Sequence, residues 1–279
     1  MPIHDQGYRR YQGTRAPVGH AWLVMAKAGL RTLFSKRAFI ALMLLAWIPF
    51  VVRVVQLYAA TNLPQATFLT PDIGMFRRFL EIQEMFLFFI TIYAGAGLIA
   101  NDRRANALQI YLARPLTRFE YILGKFAVLM ALLLFVTWIP ALLLVVVQIL
   151  FSGSLQFFLD NLILVPAITL LSFVQATAIA SAMLALSSLS RSSRYVGILY
   201  AGLIFFSQAI YGVLYALTRD SRLAWVSLPL DLAQLGDAIF QLPQRLDMPL
   251  WLAVTMIVTL IIASGAILER RVRGVEIVA

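Results

Sequence analysis

Six long apolar runs restrict what this chain can fold into more than any other feature. They occupy residues 38–60, 85–100, 127–151, 162–189, 196–217 and 250–268. A helix needs about 20 predominantly apolar residues to cross a hydrocarbon layer about 30 Å thick, and only the second run falls clearly short of this length. We expect its helix to begin earlier, near Asp72. Because 61% of the residues are hydrophobic and only 13% are charged, a soluble domain is excluded. The sequence predicts an all-α integral membrane protein with six transmembrane helices.

The distribution of Lys and Arg predicts the orientation of these helices. Seventeen lie in residues 1–37, 101–126, 190–195 and the tail after residue 268, whereas five lie in the alternate segments. Basic residues concentrate on the cytoplasmic side of membrane proteins, so we expect both termini to be cytoplasmic. The chain then divides into a cytoplasmic N-terminus (1–37), a membrane domain (38–268) with an inner loop (101–126) and an outer segment (218–249), and a cytoplasmic tail (269–279).

The net charge of +10 is explained by this topology rather than by nucleic-acid binding. The inner segments are short and contain no recognisable nucleic-acid-binding module. The sequence therefore predicts a lipid bilayer, and no nucleic acid, as the partner of the basic residues.

An amphipathic helix is predicted just before the first run. Its apolar face includes Trp22 and Phe34, while Lys27 and Arg31 lie on the opposite face. Such a helix lies in the inner membrane interface with its basic side chains toward anionic headgroups. The alternative is a helix packed on a soluble domain.

Residue types that support catalysis or metal binding are scarce. The chain has no cysteine, and its two histidines lie near the N-terminus, so we expect neither a metal site nor catalytic residues. Gly124-Lys125 lacks the upstream glycine of a phosphate-binding loop, and we expect no cofactor on this chain. A membrane-embedded lipid-modifying enzyme would need clustered His, Asp or Glu, and the six runs contain none.

Two polar residues within the runs are candidates for a substrate path. Arg53 is close enough to the outer end of the first run to snorkel to the headgroups or to pair with Glu81 or Glu84; alternatively, it faces the path. Gln175 lies among small residues of the fourth run, where tight helix packing is the first interpretation and a ligand site is the second. In the outer segment, Asp231 is expected to cap an amphipathic helix at the outer surface.

The inner loop is predicted to form two short helices. A helix capped by Asn101 or Asp102 would place four apolar side chains on one face: Ala105, Leu108, Tyr111 and Leu112. Pro115 would end it, and Thr117 would cap a second helix that continues into the third run. Such a structure is either a docking surface or an ordinary linker.

This loop resembles that of the type 2 ATP-binding cassette (ABC) exporter permeases. The shared pattern is Pro-x-x-Arg followed by Gly-Lys, carried here by Pro115, Arg118, Gly124 and Lys125. The resemblance extends to the basic helix before the first run, the six spans and the longer outer segment before the last. This chain departs from the family in Asn101-Asp102, where a glutamate is common, and in Ala105-Asn106, where the family has a Gly-Thr pair.

The resemblance implies a permease subunit in the cell's inner (plasma) membrane. It would form the substrate path with a second permease subunit, identical or different, and would couple to separate ABC ATPase subunits that hold ATP and magnesium. The coupling residues it implies are Asp102, Arg103, Arg104, Asn106, Leu108, Gln109, Tyr111, Leu112, Arg114, Pro115 and Arg118. The alternative is a membrane anchor or sensor subunit without transport.

Overall fold

The computed structural model describes residues 21–62, 71–107 and 117–272. It is 86% helical, and these ranges contain no strand. Six of its helices are long and apolar enough to cross a membrane, as predicted. We number them spans 1 to 6: Arg37–Asn62, Ile73–Arg104, Arg118–Ser152, Leu164–Leu189, Ser193–Thr218 and Leu250–Arg271. The end of the bundle that carries residues 101–126 is called the predicted inner end, and the other the predicted outer end.

Span 2 begins where the sequence predicted. The Asp72 carboxylate accepts a hydrogen bond from the Met75 N–H at 2.8 Å and caps the helix Ile73–Ile90. A π-helical segment, Thr91–Gly95, interrupts the span before a last helix, Gly97–Arg104. The prediction that Asn101 or Asp102 caps a new helix is wrong, because both lie inside this last helix.

Two spans are broken near a proline. Span 3 consists of helices Arg118–Val136 and Trp138–Ser152, and span 1 of helices Arg37–Ala46 and Ile48–Asn62. Pro140 and Pro49 follow these breaks by a few residues, and proline has no N–H to continue the helical hydrogen bonds. At the first helix of span 3, Thr117 and Glu120 form the capping box that closes its N-terminus.

Span 4 forms the centre of the bundle. Over its most apolar stretch 72% of the residues are buried, compared with 17% in each of spans 1, 5 and 6. Its small residues Ser172, Ala176, Ala180 and Ala185 are all buried, which allows the neighbouring helices to approach closely. Spans 1, 5 and 6 therefore form the periphery.

A short helix, Leu228–Ile239, lies between spans 5 and 6 and is called the linker helix. Leu228 and Leu232 pack with Ala178 of span 4 and Ile257 of span 6. Ala178 is about 21 Å along span 4 from its predicted outer end, at about 1.5 Å per residue. The linker helix therefore reaches the middle of the bundle instead of lying only at its surface.

The predicted cap of the linker helix is wrong. Ser227 occupies the N-cap position, and Asp231 lies one turn inside the helix with its side chain buried. Leu228, which lies before Asp231, already packs against spans 4 and 6. The helix therefore begins before Asp231.

Candidate functional site

Asp102 joins the two spans that flank the predicted coupling loop. Its Oδ2 lies 2.7 Å from the Lys125 Nζ and accepts a hydrogen bond of 2.7 Å from the Tyr121 hydroxyl. Asp102 is on span 2, whereas Tyr121 and Lys125 are on span 3. The Asp102 and Lys125 side chains are 18% and 16% exposed, so a mostly buried ion pair holds the two spans together. We call Asp102, Tyr121 and Lys125 the clamp.

The Gly-Lys pair of the sequence pattern has two structural roles. Lys125 completes the clamp, and Gly124 allows the N-terminal helix, Ala21–Phe34, to lie directly against span 3. A Cβ at Gly124 would lie 3.0 Å from the Trp22 carbonyl oxygen and 3.1 Å from the Met25 Cβ. Both contacts are closer than ordinary packing, so a side chain at this position would displace the N-terminal helix.

The N-terminal helix has the two faces that the sequence predicted, and one of them packs on span 3. Ala26 and Leu33 are buried within the same apolar cluster as Val128 of span 3. Lys27 and Arg31 are exposed. The apolar side chains divide between two surroundings, because Phe34 is 43% exposed while Trp22 is half-buried. Its position in the membrane interface remains a prediction.

Span 2 is also fixed to span 4 beside the clamp. The Ser187 Oγ accepts hydrogen bonds from the Ile99 and Ala100 N–H groups at 3.1 and 3.0 Å, and it donates to the Ala96 carbonyl at 2.9 Å. These backbone groups follow the π-helical segment, where the regular hydrogen bonds are rearranged. Ser187 of span 4 therefore provides hydrogen bonds to these backbone groups from a neighbouring span.

The predicted coupling residues fall into three groups. Asp102 and Arg103 bind within the chain, since the Arg103 guanidinium donates to the Ser188 carbonyl. Arg104, Asn106 and Arg118 are exposed at the predicted inner end. The remaining six lie outside the described residues: Leu108, Gln109, Tyr111, Leu112, Arg114 and Pro115.

The exposed group includes a residue that the sequence reasoning missed. Phe119 is 72% exposed in the first turn of span 3, next to Arg118. An exposed phenylalanine beside basic residues is a feature of contact surfaces. The sequence signal for its exposure was its position two residues after the Thr117 cap. The cap sets where the helix begins and so determines on which face of the helix each residue lies.

A sequence profile of the family described as "ABC-2 family transporter protein" matches residues 23–263. The chain belongs to this family. The match includes all of spans 1 to 5, the clamp and the linker helix, so the protein is a multi-pass membrane permease component of the ABC-2 family. A comparison with curated proteins gave no significant match.

In this ABC-2 permease, Arg53 does not have the partner that the sequence offered. Its guanidinium donates to the Gln56 side chain one turn further along span 1, and Arg53 is half-buried. In the described ranges no ion pair joins it to Glu81 or Glu84. Glu81 instead binds Arg77 and Arg245. The predicted pairing is therefore wrong, while snorkelling and a role in the path remain predictions.

Those two arginines belong to a network that holds the linker helix of the permease. Arg77 is 1% exposed; its Nε lies 3.1 Å from the Asp237 Oδ1, and its Nη2 donates to the Ala233 carbonyl. Arg245 donates to both Glu81 and Asp237 at 2.8 to 3.1 Å. Hydrogen bonds to Glu81 and Asp237 raise the pKa of Arg245 above its usual value. We call Arg77, Glu81, Asp237 and Arg245 the outer network.

The linker helix fits against Arg77 only because of a glycine. A Cβ at Gly236 would lie 2.5 Å from the Arg77 Nε and 2.8 Å from its Cζ. The sequence signal for the network was the helical spacing of Arg77 and Glu81, but their partners are about 160 residues away in the chain. Only the tertiary fold brings them together.

Gln175 of the permease is 2% exposed and lines a cavity together with Glu84. Its small neighbours Ser172 and Ala176 are buried by helix packing, which agrees with the first of the two interpretations. The cavity shows that the second interpretation also has a physical basis. Glu84 lies within span 2, because this helix begins 12 residues before the apolar run does.

Proposed function

We propose that the chain is the permease subunit of an ATP-driven exporter. Two permease subunits form the substrate path, and separate ABC ATPase subunits, which hold ATP and magnesium, dock at residues 101–126. In this proposal the predicted inner end faces the cytoplasm of a cell whose plasma membrane contains the complex. Membership of the ABC-2 family supports the role of membrane permease component.

The observation that carries the proposal is the clamp. It ties spans 2 and 3 together at the point where both enter the loop that resembles a coupling element. A force applied to this loop therefore reaches both spans at once. Exposed Arg104, Asn106 and Arg118 offer charged and polar contacts for the ATPase beside the clamp.

The two spans also contain places where a movement of this kind can be absorbed. Span 2 has the π-helical segment Thr91–Gly95, and span 3 has the break at Thr137. Both lie between the clamp and the outer network. A helix can change direction at such irregular turns without losing further backbone hydrogen bonds, so the predicted inner end can tilt while the predicted outer end stays packed.

The exposed apolar surface of the periphery supports a membrane location and a second subunit. Span 5 presents Phe205 and Phe206, which are 60% and 68% exposed. In a membrane these side chains face lipid or another permease subunit. A dimer would cover part of this surface and place the paths of the two subunits side by side.

Substitutions in the loop test this proposal. Leu108→Asp puts a carboxylate on the predicted apolar face of the coupling segment, which costs about 1 to 3 kcal/mol in a buried contact, and Arg114→Glu reverses a predicted partner contact. We expect both variants to enter the membrane normally but to lose the copurifying ATPase or its response to transported molecules. Leu155→Asp and Arg222→Glu, at exposed positions of the predicted outer end, are the matched controls.

Two results would contradict the proposal in different ways. Wild-type copurification and hydrolysis in both loop variants would show that the loop is not the coupling element. An ATPase that copurifies with wild-type permease but never responds to any transported molecule would indicate an anchor or sensor subunit instead.

A further inference from the structure

A cavity of about 80 Å³ lies between spans 2, 4 and 5 and the linker helix. The side chains that matter for its chemistry are Glu84, Phe88, Gln175, Tyr200, Ile204 and Leu232. Glu84 and Gln175 are each about 17 Å along their spans from the predicted outer end, at about 1.5 Å per residue. The cavity therefore lies in the middle of the bundle, at a depth where a membrane contains little water.

The described charges near the cavity leave two carboxyl groups without an ion-pair partner: Glu84 in its wall and the buried Asp231 of the linker helix. Arg77 and Arg245 are bound to Glu81 and Asp237, so these two positive and two negative charges compensate one another. Over the described ranges, no Lys or Arg nitrogen lies within 4.0 Å of the Glu84 carboxylate. An ionisable group within a membrane span is costly without a partner. Glu84 is therefore a candidate functional residue.

A second acceptor faces the same space. Gln175 is 2% exposed, and its Oε1 has no hydrogen-bond partner in the described part of the chain. The Gln175 side chain is also a hydrogen-bonding neighbour of the Glu84 carboxylate. Buried polar atoms normally have partners, and the missing partner of this oxygen must be a donor. The cavity therefore presents a carboxylate and an amide oxygen to a group that supplies N–H or O–H bonds.

Aromatic rings complete the wall. Phe88 and Tyr200 stack with their ring centroids 5.8 Å apart, and both line the cavity beside Glu84. With apolar and aromatic side chains around them, a carboxylate and a carbonyl oxygen favour a positively charged donor over an anionic one.

We propose that this cavity binds an ammonium group of the molecule that the permease transports. That the bound molecule is transported rests on the proposed function. That its bound group is an ammonium rests on the cavity alone. A cavity needs about 10 to 15 Å³ of such volume to hold one water, so this one has room for an ammonium group and a short carbon stem. Ile204 and Leu232 give the cavity an apolar side, and the rest of the transported molecule lies outside it.

The absence of cysteine from the chain permits a direct test on the purified permease in lipid nanodiscs. Ile204→Cys places one thiol in the cavity. Its reaction rate is measured with 2-aminoethyl methanethiosulfonate, which is cationic, and with 2-sulfonatoethyl methanethiosulfonate, which is anionic. Methyl methanethiosulfonate, which is neutral, corrects both rates for access. We expect the cation to react at least about tenfold faster than the anion, because a fixed charge concentrates its counter-ion in a low-dielectric cleft.

Removal of the Glu84 charge tests whether this carboxylate causes the preference for the cationic reagent. In Glu84→Gln the cation preference at Ile204→Cys is expected to disappear, whereas in Glu269→Gln, an exposed carboxylate at the far end of span 6, it is expected to remain. Ethylammonium at about 50 mM should slow the neutral reagent in the wild-type background and propanoate should not, since ligands this small bind in about the millimolar range. If Glu84→Gln does not fold, the comparison of reagents with Glu84 in place still decides.

Several results would overturn the inference. These are equal corrected rates for the cationic and anionic reagents, an unreactive thiol with all three reagents, or a cation preference that survives in Glu84→Gln. None of them bears on ATPase docking, which is measured separately with Leu108→Asp and Arg114→Glu. Failure of the docking experiment with an intact cation preference would instead remove the proposed function and leave an ammonium site in a membrane protein of another role.

Discussion

The two ends of the bundle hold their helices together by different means. At the predicted inner end, the described residues contain the ion pair of Asp102 with Lys125, which is mostly buried but still 16 to 18% exposed. At the predicted outer end, Arg77 and Asp237 are 1% and 2% exposed within the outer network. The inner pair lies beside exposed basic residues, whereas the outer pair joins span 2 to the linker helix.

This difference indicates a division of labour. A buried charge that loses its partner cannot be solvated by water. Separation of the linker helix from span 2 would therefore lower the stability of the whole fold. The inner pair can be strained or exchanged at a smaller cost, because water reaches its surroundings. In the proposed function, the predicted inner end responds to a partner while the linker helix stays packed at the predicted outer end.

The largest effect is expected for Arg77→Met. It removes one of the two arginines bound to the buried Asp237, which keeps Arg245, and this costs about 3 kcal/mol. Thermal unfolding of the purified permease in detergent should show this as a large fall in the midpoint. Arg78→Met is the matched control, because the ion pair of Arg78 with Asp72 is more than half exposed and is worth about 1 kcal/mol or less. Equal midpoints in the two variants would contradict a structural role for the outer network.

An intermediate effect is expected for Gly124→Ala. The added methyl group meets the Trp22 carbonyl at 3.0 Å, and overpacking of this kind costs about 1 to 3 kcal/mol. We expect a lower unfolding midpoint and faster proteolysis of the N-terminal helix. Gly265→Ala, where nothing lies within 4 Å of the new Cβ, should match the wild type. A wild-type response from both alanine variants would show that the helix does not rest on span 3 as described.

The smallest effect on stability is expected for Arg53→Leu. Its hydrogen bond to Gln56, the one that it makes within the described ranges, lies within a single helix, and removal of a charge from a span favours insertion. Unfolding should change by about 1 kcal/mol or less, while transport changes only if Arg53 faces the path. Loss of insertion would show that Arg53 makes a structural contact outside the described ranges or with another subunit.

Sequence patterns predicted the spans and several of their boundaries because these depend on local chemistry. The six apolar runs, the Asp72 cap and the Thr117 cap are each encoded within a few neighbouring residues. The cap predictions failed at Asp102 and Asp231, where the same residue type is engaged or buried by tertiary packing. A side chain able to cap a helix does so only if the chain turns at that position.

The candidate sites were less predictable because they join distant segments. The Gly124-Lys125 pair was visible as a pattern, but its contacts with Trp22 and Asp102 were not. Similarly, Glu84 and Gln175 are about 90 residues apart, and each has an ordinary explanation alone. Only their meeting in one cavity gives them a shared role.

The most direct measurement is an exchange of the two charges in the clamp. Asp102→Lys and Lys125→Asp are made singly and together, and ATP hydrolysis by the copurified complex is measured, with Asp160→Asn at an exposed site of the predicted outer end as control. If the clamp transmits force from the loop to spans 2 and 3, each single variant loses coupled hydrolysis, since two like charges then face each other, and the double variant regains it. Full activity in both single variants, or no recovery in a double variant that still binds its ATPase, would contradict this role of the clamp.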